Sequence, residues 1–144
     1  MKKTLILLCS GLLFFQIVFQ GCKKDDSKPL SEIILGKWEL LKENHNLYLN
    51  DGLYRDSTYT YEDNQAIAEF LSSGDGKMYE FDEFLGYFTW ELNGSELTVS
   101  FFPDGPMKLN YNEGSKKITL TYSETWNEDN IDWKYEMIIT ALKL

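Results

Sequence analysis

An excess of acidic residues sets the first limits on what this 144-residue chain does. It carries 23 acidic against 14 basic residues, a formal net charge of −9, and this charge argues against a nucleic-acid partner because it repels phosphate backbones. An aromatic content of 15% argues against a disordered chain.

The N-terminus has the features of a secretory signal. Lys2 and Lys3 form a basic start, residues 5–19 form an apolar run, and Gly21 precedes Cys22. The run is shorter than the about 20 residues that a membrane-spanning helix needs. A short apolar segment between a basic start and a small residue predicts a cleaved signal peptide. The alternatives are an uncleaved anchor or cleavage at another site.

Gly21 before Cys22 resembles a bacterial lipobox, in which cleavage leaves the cysteine as the lipid-modified first residue. The resemblance implies that residues 1–21 are a signal peptide and that residues 22–32 are a lipidated, flexible tether. It also implies an outer-membrane lipoprotein that faces the periplasm or the cell surface. Two lysines followed by two aspartates at residues 23–26 are similar to a surface-export signal; the alternative interpretation is a solvated tether.

Cleavage would remove two lysines and no acid, so the formal charge would move from −9 to −11. The acylated Cys22, rather than a basic patch, would then hold the protein on the bilayer. Cys9 would leave with the signal, so the folded domain would have no disulfide and no thiolate metal site.

From residue 36 onward, apolar and polar residues alternate and turn signals recur at short intervals, a pattern that predicts strands. Asn93 and Gly94 form a strong two-residue hairpin signal, and residues 127–130 are predicted to form a polar loop. No amphipathic helix longer than a turn or two is visible. The predicted strands cover residues 35–41, 54–61, 66–71, 77–81, 84–92, 97–101, 107–111, 118–122 and 133–141.

These strands predict an all-β fold, a single antiparallel up-and-down β-barrel of about eight strands. A series of hairpins removes its edges by closing on itself, so we expect the last strand to pair with the first. A two-sheet β-sandwich gives a similar alternation and is the alternative.

The first predicted strand resembles that of a lipocalin, which begins with a glycine, one residue and a tryptophan, here Gly36 and Trp38. Small lipocalin-like domains of bacterial lipoproteins also have a phenylalanine strand that runs into an acidic-glycine turn and a tryptophan strand before an Asn-Gly turn. Here Phe70 precedes the turn at residues 75–76, and Trp90 precedes the turn at residues 93–94. The resemblance covers residues 33–144 and implies a lipocalin-like barrel domain there.

Trp38 and Gly36 also have a physical interpretation of their own. A tryptophan early in the first strand can plug one end of a small barrel while its indole N–H reaches a backbone carbonyl, and Gly36 lets the chain bend into the strand. Classical lipocalins pack an arginine over this tryptophan. Arg55 is the sole arginine and lies early in the chain, so Lys134 and Lys143 are the candidates for that position.

The sequence shows no pattern of catalytic residues. His45 is the only histidine and cannot form a zinc site alone, and there is no serine nucleophile elbow, phosphate-binding loop or dinucleotide fingerprint. We therefore predict a protein that is not an enzyme and that needs neither a cofactor nor a metal.

Two functions remain open. Phe84, Phe88 and Trp90 are predicted to share one inward face, and Phe88, Trp90, Tyr122 and Tyr135 are predicted to line the barrel mouth and bind a small hydrophobic or amphipathic ligand. Alternatively, the barrel is filled, and a monomeric lipoprotein binds a protein or a polysaccharide at the cell envelope. The cavity volume separates these two predictions.

Replacement of Cys22 by alanine should release the protein from the membrane fraction, because stable attachment needs the acyl chains of a lipidated cysteine. Fractionation of cells that express the wild type and Cys22→Ala measures this. A variant that stays with the membrane would show that the lipobox interpretation is wrong.

Overall fold

The computed structural model describes residues 28–102 and 105–144, and Cys22 lies outside these residues. One short helix, α1 (Leu30–Ile33), precedes nine strands. The strands are β1 (Gly36–Leu49), β2 (Gly52–Thr60), β3 (Ala66–Phe70), β4 (Asp75–Glu80), β5 (Glu83–Asn93), β6 (Glu96–Val99), β7 (Met107–Asn112), β8 (Lys117–Glu128) and β9 (Ile131–Lys143).

The strands form one antiparallel sheet that closes into a barrel. Its order is β2-β1-β3-β4-β5-β6-β7-β8-β9, and β9 pairs back onto β1 from Trp38 opposite Lys143 to Leu49 opposite Trp133. Eight strands form the closed barrel, and β2 is an extra strand on one side of β1. The predicted barrel is therefore confirmed, and a single continuous sheet excludes the β-sandwich.

Three barrel strands, β1, β8 and β9, continue beyond the closed part of the barrel. Together with β2 they form an open sheet that we call the sheet extension. It consists of residues 42–49 of β1, all of β2, residues 121–128 of β8 and residues 131–138 of β9. β1 changes its partner along one edge, from β3 opposite residues 36–39 to β2 opposite residues 42–49. The prediction of a loop at residues 127–130 was wrong in part, because β8 continues to residue 128 before a tight turn.

Trp38 is buried near the start of β1, and its indole N–H reaches a backbone oxygen. It is 1% exposed, and its indole Nε1–H donates a hydrogen bond to the backbone oxygen of Ile34 at 2.6 Å. The edge of its ring system meets Tyr111 at a centroid distance of 6.3 Å. Gly36, two residues earlier, has a φ of +101°, a left-handed conformation that glycine adopts without a steric penalty.

Lys143 occupies the position over this tryptophan. Its Nζ lies 5.1 Å from the Trp38 ring centroid and donates a hydrogen bond to the backbone oxygen of Ile33. Burial, followed by the nearby charge of Lys28, lowers the pKa of Lys143 below its ordinary value. The structure thus distinguishes Lys143 from Lys134, which lies over Tyr48 in the sheet extension.

A β-bulge in β5 corrects the predicted face of Phe84. Phe88 pairs with Gly76, but the register shifts between Met78 and Tyr79, so that Phe84 lies opposite Tyr79. The extra residue reverses the alternation, and Phe84 is 50% exposed on the outer surface instead of sharing the inward face of Phe88.

Replacement of Gly76 by alanine should destabilise the domain, because an added Cβ would overlap the Phe88 ring. Overpacking of a dense core costs roughly 1–3 kcal/mol. Gly86→Ala in the facing strand is the matched control, since a Cβ there meets nothing within 4 Å. Urea unfolding of both variants measures the effect. Equal midpoints for the two variants would contradict the packing of Phe88 on Gly76.

Candidate functional site

The barrel interior is almost completely filled. An apolar void of about 20 Å³ remains, and its lining residues include Trp38, Phe70, Phe101 and Leu120. Such a void has the size of roughly one water molecule. Ligand pockets for small molecules usually measure about 300–1,000 Å³, so the described interior has no room for one.

Phe88 and Trp90 lie in this packed interior. Phe88 is 4% exposed and contacts the rings of Phe70 and Phe101 at centroid distances of 5.2 and 4.9 Å. The indole N–H of Trp90 donates to the backbone oxygens of Leu71 and Asp75, at 3.1 and 2.9 Å. Both side chains therefore take part in packing and in holding the turn between β3 and β4.

Tyr122 and Tyr135 lie elsewhere, where the closed barrel gives way to the sheet extension. Their ring centroids are 6.3 Å apart. Tyr122 donates a hydrogen bond to Glu124 at 3.1 Å, and Tyr135 is joined to Nδ1 of His45 at 2.7 Å. All four predicted lining residues contribute to one hydrophobic core, Phe88 and Trp90 near the turn between β3 and β4 and Tyr122 and Tyr135 at the base of the sheet extension. That they line a barrel mouth stays a prediction.

A chain of hydrogen bonds crosses the inner face of the sheet extension, the face that continues the barrel-facing side. The Tyr61 hydroxyl donates to Glu43, the other carboxylate oxygen of Glu43 lies 3.3 Å from Nε2 of His45, and His45 reaches Tyr135. The rings of His45 and Tyr135 also stack, with centroids 6.1 Å apart. Strand register brings these groups together. His45 pairs with Met137, and Tyr135 lies two residues from Met137 on the same face of β9.

Aromatic side chains continue this face toward the tip of the sheet extension. Trp126 lies directly opposite Trp133, with ring centroids 6.1 Å apart and planes within 7° of parallel. Tyr54 meets Trp133 edge-on at 5.9 Å. A register shift in the pairing of β1 with β2 leaves Tyr54 as the extra residue, and this bulge places its ring on the inner face.

Sequence analysis did not identify Tyr54, Trp126 or the role of His45. A period-two signal was present, since Tyr122, Glu124, Trp126 and Glu128 alternate along β8. It was overlooked because carboxylates fill every second position of that face. Such a mixed row indicates a surface that is partly open to water rather than a core.

Within residues 28–102 and 105–144, no group of three or more His, Cys, Asp and Glu side chains is placed to hold a metal ion. No helix in these ranges is long and apolar enough to cross a membrane. The inner face offers hydrogen-bonding and aromatic groups, which suit noncovalent binding.

No protein-family model matches the sequence, and no curated protein matches it.

The phenol of Tyr61 should resist ionisation at high pH. Burial, and then its hydrogen bond to Glu43, raise the pKa of Tyr61 above its ordinary value of 10.0. The unfolded state loses this proton first, so stability should fall as the pH rises above about 10, and Tyr61→Phe should flatten that fall.

Tyrosinate absorbance at about pH 11 measures this directly. Tyr61→Phe should leave the absorbance of the folded protein unchanged and lower it by one tyrosine in denaturant. A loss of equal size in the folded protein would show that Tyr61 titrates freely.

Proposed function

We propose that this chain is a lipocalin-like lipoprotein of the cell envelope, tethered through acylated Cys22, whose packed barrel supports a binding surface on the sheet extension. Its function would be to bind a partner outside the barrel rather than to carry an apolar molecule inside. The resemblance of Gly36 and Trp38 to a lipocalin start and the closed eight-strand barrel support the family assignment.

The volume of the interior is the observation that carries this proposal. A void of about 20 Å³ is more than tenfold smaller than the pockets that hold small ligands. To admit such a ligand, the barrel would have to displace several side chains. Phe101 and Phe102, which line the void beside Phe88, are the nearest candidates. Their displacement would expose apolar surface before any contact with the ligand offset that cost.

The sheet extension is the better surface for a partner because the closure of the barrel does not require it. The eight-strand ring closes with residues 36–40 of β1, and residues 42–49 continue beyond it. In the described part of the chain, no strand pairs with the outer edge of β2 or with residues 122–128 of β8 on the side away from β9. Large aromatic side chains on this open sheet, including Tyr54 and Trp126, remain exposed.

Native mass spectrometry of the protein purified from its own host tests whether the barrel holds a ligand. We expect the mass of the lipidated chain with no additional small molecule, and no change in tryptophan emission on titration with palmitate or 1-aminoanthracene. Phe102→Ala is the matched positive control, because it enlarges the apolar void and should admit a single-ring molecule such as benzene. An apolar molecule that copurifies with the wild type at one per chain would support the carrier function instead.

A further inference from the structure

Trp126, Trp133 and Tyr54 form an aromatic cluster on the inner face of the sheet extension. The two indoles are nearly parallel, with an angle of 7° between their planes, and the Tyr54 ring stands at 88° to Trp133. Trp126 is 39% exposed and Tyr54 is 64% exposed. A protein of ordinary stability leaves few such rings together in water, so the cluster is a candidate binding platform.

The indole N–H groups of Trp126 and Trp133 differ in hydrogen bonding from those of the other two tryptophans of the chain. Trp38 and Trp90 both donate their indole N–H to backbone oxygens. For Trp126 and Trp133, residues 28–102 and 105–144 provide no acceptor. Trp126 therefore offers exposed ring surface, and both indoles keep a hydrogen-bond donor that a ligand can use.

The inner face of the sheet extension carries both positive and negative side chains. Arg55 lies opposite Leu47, and Leu47 lies opposite Tyr135, so the guanidinium belongs to the inner face. Glu124 and Glu128 flank Trp126 at alternate positions of β8. Glu43 lies on the same face, so three carboxylates accompany one guanidinium there, and on a chain of net charge −9 they disfavour an anionic ligand.

From this arrangement we propose that the aromatic cluster binds the pyranose rings of a neutral polysaccharide. A sugar ring presents C–H groups that can lie against the exposed rings of Trp126 and Tyr54, and its hydroxyl groups both accept and donate hydrogen bonds. Those hydroxyls can accept from the indole N–H groups and from Arg55, and they can donate to Glu124 and Glu128. The inference rests on the proposed function, because it uses the surface assigned there.

An organic cation is the competing ligand, since aromatic rings beside carboxylates also attract ammonium groups. A quaternary ammonium has no lone pair to accept an indole N–H, and it would lie near the positive charge of Arg55. The unused donors therefore favour the sugar. Tetramethylammonium serves as the probe for the cation.

Affinity electrophoresis of the full-length protein, extracted in a mild detergent, tests the proposal. Native gels contain dextran, mannan, laminarin, xylan or pullulan, and tetramethylammonium is titrated separately against tryptophan emission. We expect at least one polysaccharide to retard the wild type, and Trp126→Ala and Trp133→Ala to weaken that binding by about tenfold or more each. Tyr87→Ala removes an aromatic ring that is 75% exposed on the outer surface and should leave binding unchanged.

Each outcome decides the proposal. If the variants unfold at urea midpoints close to that of the wild type, a loss of binding is not a loss of folding. Trp126→Phe keeps an aromatic ring but lacks the N–H, so it should show an intermediate loss of binding. Retardation by none of the polysaccharides, equal retardation of wild type and Trp126→Ala, or a response to tetramethylammonium alone would overturn it. These results would leave the packed barrel untouched, because the mass spectrum tests that independently.

Discussion

Hydrogen bonding along both edges of β1 is the constraint on which the rest of the structure depends. One edge pairs with β9 from Trp38 to Leu49, which closes the barrel. The other edge is divided between β3 and β2. This division lets β1 be part of the closed ring in its first half and part of an open sheet in its second half. A single long strand thereby fixes both the packed core and the position of the sheet extension.

The barrel was predictable because its signals are local. Period-two alternation and turn residues specify hairpins, and Gly36 and Trp38 mark where the first strand begins. The sheet extension was not predictable in the same way, because residues 43–46 of β1 are polar and carboxylates alternate with Trp126 on the inner face of β8. Pairing decides the structure of residues 43–46, whose partners at residues 136–139 of β9 lie far along the chain and leave no local mark. The bulge that turns Phe84 outward is another effect of pairing.

The candidate site was predicted in part for a related reason. Inward-facing positions of β8 and β9 keep one alternation from the core to the tip, from Leu120 and Ile139 to Trp126 and Trp133. In the closed ring, opposing strands bury such residues. In the open sheet they do not, so the same pattern yields exposed rings. Sequence alone could identify Tyr122 and Tyr135 as inward-facing. It could not show that the strands on the opposite side of the barrel end near them.

The filled barrel and the exposed aromatic face of the sheet extension are physically related. The core needs tight packing because the described domain contains no cysteine to form a disulfide. Tight packing leaves no lumen for a ligand, so under the proposed function recognition would use side chains that the core does not need. The hydrogen-bonded groups from Tyr61 to Tyr135 lie between these two regions. They join β1 to β9 and to Tyr61, just after β2, at the base of the sheet extension. Under the proposed function, the rings at the tip would contact a partner while the core stays closed.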